Sequence, residues 1–520
     1  MVTREFTEFA RLEVQRRLDA AQTLSERNRL GQHATPSDLA WEILQCAKSM
    51  VPPRGNLRFL EPAFGTGSFC SAMLETFPNT RVERFADYEL DPQMGEAAAA
   101  HWSGTALNLQ IGDFTKAEPD SDNHLATLLI CNPPYVRHHH ISGEEKTRLR
   151  AAAAKVIGFE PSGLTGLYCY FLLSAHKWMA KGGLAGWLVP SEFMDVNYGE
   201  AVKSYLLNQV TLLRVHRFDP EDTQFRDALV SSVMVWFKNV MPLPDQHVQF
   251  SFGGTLANPK LVKPIPIDTL RKSHKWTPLI NSSRDVVSSG ARTTLGDLFY
   301  IKRGIATGNN KFFILTEADA IAHGLPAEFL TPILPSPRHL PSDEIQADES
   351  GNPIIERKLF LVNCDLGENE VEAKYPMLWS YLMQGAEVGV RDRYLCRNKE
   401  PWYRQEQRPP AKILCTYMGR RLNGNNSNPF RFILNHSLAT AANVYLMLYP
   451  KEEVTEALRG YPELASDMWH ALGSISAETL IREGRVYGGG LYKLEPKELA
   501  NVPVDQVLAV LPRLALRMDL

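Results

Sequence analysis

The stretch Cys131-Asn132-Pro133-Pro134-Tyr135 follows a mostly apolar run, Leu125 to Ile130, and limits what this chain can fold into more than any other segment. The run reads as a buried parallel strand of an α/β sheet. Two adjacent prolines fix φ and donate no backbone hydrogen bond, so the strand stops at Asn132 and a rigid loop follows at its carboxyl end. Open α/β sheets place their ligands at that end. The loop offers the Asn132 side-chain carbonyl, the Pro133 main-chain carbonyl and the ring face of Tyr135. Two acceptors and a π-face suit a planar amine such as the exocyclic NH2 of a nucleobase.

Upstream, Arg4 to Asn28 carries apolar residues at a loosely helical spacing and reads as a helix packed on the domain. In Gly31-Gln32-His33-Ala34-Thr35-Pro36-Ser37-Asp38, Thr35 is placed as an N-cap, Pro36 at the first helical position and Asp38 at N3, so a helix to about Ser49 is predicted. Its N-terminus can hold a carboxylate. Leu57 to Glu61 reads as a strand that ends in Pro62-Ala63-Phe64-Gly65-Thr66-Gly67 and opens a helix, an arrangement that lets backbone approach a nucleoside closely. The third glycine of a dinucleotide fingerprint is absent, and Glu61 is a poor neighbour for a pyrophosphate. The segment resembles the S-adenosylmethionine loop of class I methyltransferases. On that resemblance Thr35, Glu61, Pro62, Ala63, Gly65 and Gly67 are expected at the cofactor. The next strand, Val82 to Glu89, ends in an acid placed to accept from ribose hydroxyls; Glu89 is chosen over Asp91. By the same resemblance Asp113, after the strand Leu109 to Ile111, accepts from the cofactor's adenine amine, and Phe114 packs on that ring.

Asn-Pro-Pro-Tyr resembles the reaction loop of the amino-methyltransferases. The order of cofactor helix, glycine loop, reaction loop and large C-terminal domain resembles the gamma class (Taq-type, Eco57I-like) of DNA adenine-N6 methyltransferases, the modification enzymes of restriction-modification systems. The resemblance is close from Gly31 to Phe237 and looser beyond. It implies an enzyme that flips adenine out of duplex DNA and transfers a methyl group to N6. Asn132, Pro133, Pro134 and Tyr135 would form the reaction loop, and Phe225 would close the target pocket opposite Tyr135. It also implies double-stranded DNA as substrate and a separately encoded restriction endonuclease as functional partner. Protein-glutamine N5 methyltransferases share Asn-Pro-Pro-Tyr but are much shorter and lack a basic C-terminal half. A catalytically silent DNA-specificity protein is the other alternative, set against intact cofactor positions. Cytosine-N4 methylation is disfavoured by Asn where Ser is expected.

At 520 residues the chain is too long for one ordinary core. The predicted fold is an α/β, Rossmann-like class I methyltransferase domain with a mixed, mostly parallel sheet, followed by a mixed α+β target-recognition domain. The expected bounds are 1–240 for the catalytic domain, 241–290 for a Pro-rich connection with some strand, and 291–520 for the recognition domain. A turn is predicted at Gly182-Gly183, between a helix over Leu164 to Ala180 and a strand over Leu184 to Val189. No apolar run approaches membrane-spanning length and Met1 to Arg29 lacks a signal-peptide core, so a cytoplasmic protein without membrane association is expected. The seven cysteines are scattered, and the adjacent His138, His139 and His140 lack ligand spacing, so no metal is expected. A net charge of −3 requires any basic surface to be local. Two such segments occur. One holds Lys302, Arg303 and Lys311 among small residues; the other, Arg391 to Asn435, is basic, includes Arg420 and Arg421, and is interleaved with Tyr394, Trp402, Tyr403, Tyr417, Phe430 and Phe432. Asp365 with Glu372-Ala373-Lys374 is a chance lookalike of a nuclease motif.

Overall fold

The computed structural model describes residues 4–23, 26–27, 30–105, 107–220, 231–281, 293–421, 428–487 and 490–504. The chain divides into two compact units, one of residues 1–286 with 487–490 and one of residues 287–486 with 491–520.

The first unit is built on nine strands: β1 (Leu57–Glu61), β2 (Val82–Glu89), β3 (Leu109–Ile111), β4 (Ala126–Cys131), β5 (Met179–Pro190), β6 (Thr211–Arg217), β7 (Ser232–Lys238), β8 (His247–Gly254) and β9 (Pro259–Pro266). Their order is β3-β2-β1-β4-β5-β7-β6-β8-β9. Strands β1 to β5 are parallel, β7 runs antiparallel between β5 and β6, β8 is parallel to β6, and β9 is antiparallel to β8. The strand order reverses between β1 and β4, which places their carboxyl ends side by side at the switch point where α/β sheets bind ligands. Successive strand residues face opposite sides. Leu128 and Ile130 therefore join one core, with the helices α2 (Ser37–Met50) and α3 (Ser68–Thr76), while Leu129 and Cys131 join the other. That second face is covered by α5 (Gly143–Ile157), α6 (Leu167–Ser174) and α7 (Glu200–Asn208). The helices α1 (Arg4–Ala20) and α4 (Pro92–His101) complete the set that bears on the site.

Four local expectations are corrected. Helix α2 starts at Ser37 with Pro36 before it and no side-chain cap, so Thr35 is not its N-cap. The segment 164–180 is shorter as α-helix than expected; a 3-10 turn (Ala175–Trp178) leads directly into β5 at Met179. Gly182 and Gly183 lie inside β5, where Gly182 takes φ +78° and the pair hydrogen-bonds Asn239, an irregularity of the kind glycine permits within a strand. Residues 247–266, expected to connect domains, instead form β8 and β9 and extend the catalytic sheet. Val248, Phe250 and Ile265 are buried there with Trp276 and Ile280.

The second unit is mixed α+β. A five-stranded sheet, in the order Phe299–Arg303, Tyr445–Pro450, Ile413–Thr416, Phe432–Asn435 and Glu344–Ile345, packs its apolar face on the helices Glu452–Gly460 and Leu464–Gly473. A four-stranded sheet packs on the helix Pro376–Glu387. No described helix is long and apolar enough to cross a membrane.

Phe250 separates a sheet strand from a mere connection. Phe250→Ala should lower the unfolding free energy of the first unit by about 3–5 kcal/mol, the usual loss for a buried aromatic. Urea titration followed by tryptophan fluorescence checks this, and a change under about 1 kcal/mol would mark 247–266 as a tether.

Candidate active site

At the carboxyl ends of β1, β2 and β4 the first unit holds a cavity of about 600 Å³. Thr35, Glu61, Pro62, Ala63, Gly65, Glu89, Asp113, Phe114, Asn132 and Pro134 all line it, so the structure brings together most of the residues singled out from the sequence. Gly67, Pro133 and Tyr135 are not among its lining residues. Gly67 takes φ +89°, and a Cβ there would lie 2.5 Å from the Trp102 indole nitrogen, so its part is to let the turn close against Trp102 and Phe64. The Trp102 Nε1–H also donates to the Thr66 carbonyl at 2.9 Å. Phe225 lies outside the described residues.

Each acid is set by a distinct local rule. The Glu89 carboxylate accepts from the Gly65 N–H and the Asp91 N–H, both at 2.8 Å, which ties the end of β2 to the glycine turn. Asp91 is the N-cap of α4, accepting from Gln93 and Met94. Its Oδ1 serves the helix and its Oδ2 accepts from the Gln32 side chain at 3.4 Å. Asp113 turns its Oδ1 to the N–H and hydroxyl of Thr115, with Lys116 and Arg148 within 4 Å of Oδ2. Phe114 is buried among Tyr88, Phe171 and Trp178, at centroid distances of 5.4 to 5.8 Å.

Glu61 is 2% exposed, and its main-chain N–H donates to Asp87, which is wholly buried. Burial is the main cause that pushes both carboxyls well above their usual range; the Asp87 and Glu89 charges push Glu61 further, and the Arg11 guanidinium opposes them. Glu61 Oε2 and Asp87 Oδ2 meet no partner among the described residues. Six carboxylates and one lysine lie among the lining residues. Such a wall repels phosphates and favours a ligand that carries positive charge and hydrogen-bond donors.

Sequence reasoning missed the work of α1. Arg11, 1% exposed, donates to the Thr66 hydroxyl at 2.8 Å, and that hydroxyl donates to Gln15 at 2.7 Å, so α1 grips the glycine turn. Gln15 and Asp19 also reach the cavity. A fully buried arginine on an otherwise ordinary amphipathic helix leaves no periodic signal.

Asn132 follows β4 as expected. Its Nδ2 donates to the His33 carbonyl at 2.9 Å and to the Thr35 hydroxyl at 3.1 Å. Its Oδ1 is buried and has no partner among the described residues. An acceptor left so costs about 1–3 kcal/mol, which points to a donor that arrives with a ligand. The Tyr135 hydroxyl donates to the Leu188 carbonyl on β5 at 3.0 Å, which fixes the ring.

Two family models match the chain: the Eco57I restriction-modification methylase over residues 110–225, and the C-terminal domain of the Type II methyltransferase M.Eco57I over residues 275–519. Over both stretches the chain is similar to the Eco57I-type modification methylases. Type II methyltransferase M.XamI of Xanthomonas campestris pv. amaranthicola is 27% identical over 92% of this chain and 86% of its own. M.AccI of Acinetobacter calcoaceticus is 25% identical over 92% and 85%. The fold is shared with the Type IIL restriction-modification enzyme MmeI, solved in complex with DNA: TM-score 0.54, 12% identity, 92% of this chain and 69% of that one. The first unit is thus a class I methyltransferase domain and S-adenosylmethionine is its cofactor. The cavity fits that molecule, a cationic nucleoside without phosphate, through the acidic wall and the unpartnered oxygen of Glu61.

The buried Asp87 gives this methylase a pH signature. A carboxyl with a raised folded pKa binds more protons folded than unfolded, so stability falls as pH rises above the ordinary carboxyl range. Asp87→Asn keeps the acceptor for Glu61 and removes the charge. It should raise the melting temperature at pH 8 by about a few degrees, with the gain shrinking toward pH 4. Calorimetric scans across that range check the sign.

Proposed function

We propose that this methylase transfers methyl groups to N6 of adenine in duplex DNA, at a specific sequence, and so shields that DNA from a cognate endonuclease. The observation that carries the reading is the Asn132 carboxamide, whose oxygen is buried without a partner while its NH2 is held by His33 and Thr35. An oxygen offered alone suits an amine. In a duplex the adenine amine is engaged in pairing and its ring in stacking, so the base must leave the helix to reach the loop. Asn132 Oδ1 and the Pro133 carbonyl then accept the two amine hydrogens. Drawing both into hydrogen bonds moves the nitrogen lone pair out of conjugation with the ring. Tyr135, pinned through its hydroxyl to Leu188, and Phe225 are assigned to hold the ring between them. When bound, S-adenosylmethionine supplies an electrophilic methyl on a sulfonium. Glu61, Glu89, Asp113 and Phe114 are assigned to hold it, and the protein's contribution to rate is positioning and electrostatics.

The second unit is assigned to DNA recognition. Of the cations singled out in it, Arg303 stacks 3.9 Å over the Tyr417 ring and donates to the Asn443 carbonyl, and Arg421 pairs with Glu478 at 3.2 Å. Lys302, Lys311 and Arg420 are exposed and meet no partner among the described residues, so these are the charges left for phosphates. The interleaved aromatics of the basic stretch are not a stacking platform: Trp402, Tyr403, Tyr417, Phe430 and Phe432 are all buried, and only Tyr394 is exposed. The nuclease lookalike dissolves as well, since Lys374 pairs with Glu370 on its own helix.

Asn132→Ala should abolish methylation of unmodified phage DNA by tritiated S-adenosylmethionine while calorimetry shows near-normal binding of S-adenosylhomocysteine. Cofactor affinity lost in step with turnover would refute the role. Protein-directed transfer by the wild type would move the target from DNA to glutamine.

Replacing Lys302 and Arg420 together by Ala should flatten the log-log salt dependence of DNA affinity by about 1 to 2 units, since each phosphate contact contributes just under one. Arg421→Ala should change it less, because that charge already has Glu478.

A further inference from the structure

The segment Gly31 to Thr35 precedes α2 and lines the cofactor cavity, yet the Gly31 carbonyl, the His33 carbonyl and the Thr35 hydroxyl turn to the reaction loop. The Tyr135 N–H donates to the Gly31 carbonyl at 3.1 Å. Both hydrogens of the Asn132 carboxamide go to the same segment, one to the His33 carbonyl and one to the Thr35 hydroxyl. Gly31 has φ +67°, and a Cβ on it would lie 2.5 Å from the Tyr135 nitrogen, so only glycine allows this approach.

We propose that Gly31–Thr35 is a strap that positions the catalytic amide, with the Thr35 hydroxyl and the His33 carbonyl turning Asn132 so that only its oxygen is offered to the substrate. This rests on the reading of Asn132 as the residue that meets the target amine. A main-chain carbonyl can only accept, so the amide must present its NH2 to His33. Turning the amide over would set two carbonyl oxygens against each other at 2.9 Å with no proton between them. The site is therefore an acceptor site only. It selects a group with hydrogens to give, and rejects a ring nitrogen or carbonyl presented at the same place. Thr35 thereby becomes a positioning residue for the reaction loop, distinct from the helix cap and the cofactor contact expected from the sequence.

The two roles of Thr35 separate kinetically. Thr35→Val keeps the shape and removes the hydroxyl, Thr35→Ala removes it without a second branching methyl, and Thr35→Ser restores it. Turnover is measured with tritiated S-adenosylmethionine on unmodified phage DNA, and binding with S-adenosylhomocysteine by calorimetry, which also reports that each variant is folded. The expected result is a kcat lowered about tenfold or more in Val and Ala, with KM for S-adenosylmethionine and Kd for S-adenosylhomocysteine within about threefold of wild type, and kcat recovered in Ser. A Kd that rises in step with the loss of kcat would make Thr35 a cofactor ligand and overturn the proposal. So would wild-type turnover in Val and Ala, or no recovery in Ser. Asn132→Ala is run beside them: if it stays active, the reading of Asn132 itself fails, whereas an inactive Asn132→Ala with active Thr35→Val removes only the strap.

Discussion

A parallel strand that runs into two prolines can neither continue nor donate forward, and in this sheet that stop falls beside the carboxyl end of β1, where the strand order turns back. The rest of the site follows from that adjacency. The glycine turn after β1 and the loop after β4 become opposite walls of one cavity, and a residue such as Asn132 stands within reach of whatever fills it. The remaining elements hold these two turns still. Helix α1 grips the first through Arg11 and Gln15, Glu89 ties it to β2, and the second is held by Gly31 on one side and by Leu188 through the Tyr135 hydroxyl on the other.

That cavity is assembled against the protein's own stability. Two carboxyls, Glu61 and Asp87, are buried next to each other, with the Arg11 guanidinium as the one cation acting on Glu61. A fold selected for stability alone would replace Asp87 by a neutral acceptor for the Glu61 N–H, since burial of an unpaired charge is among the costliest choices open to a core. On the proposed reading, that acidic wall is where a cationic methyl donor would be held in preference to its neutral product. Stability lost at a site and recovered in a large two-faced core is the ordinary balance in enzymes. Here both faces of the nine-stranded sheet supply the core.

Much of this was legible because it is local. Strand β4 announces itself as an apolar run, strands β1 to β4 end in Glu61-Pro62, Glu89, Gly112-Asp113 and Asn132-Pro133, and the acids at those ends mark the cavity in correct order. What escaped depends on contacts far apart in the chain. Thr35 looks like a cap because Ser or Thr before a Pro usually is one, but its hydroxyl serves an amide 97 residues away. Arg11 reads as a solvated charge until Thr66 is found against it. Gly182-Gly183 has turn composition and yet continues a strand, since its neighbour Asn239 satisfies the irregular backbone. Residues 247–266 are rich in proline, and proline belongs at sheet edges; β9, which carries Pro259, Pro264 and Pro266, is the edge.

The basic stretch of the second unit shows how the same kind of contact sorts charges that composition treats alike. Five of its six aromatic residues go to two cores of the unit, Tyr417, Phe430 and Phe432 to one and Trp402 and Tyr403 to the other, while Arg420 is left at the surface. An arginine laid over a ring, as Arg303 is over Tyr417, or paired as Arg421 is with Glu478, holds its own unit together and would have to give up that contact to meet a phosphate. A cation with no internal contact loses only hydration and counter-ions on meeting one, which makes Lys302, Lys311 and Arg420 the better carriers of a salt-dependent interaction. Counting charges in the sequence gives the sign of the surface. Knowing which of them are already spent on the fold narrows the proposed phosphate contacts to those without an internal partner.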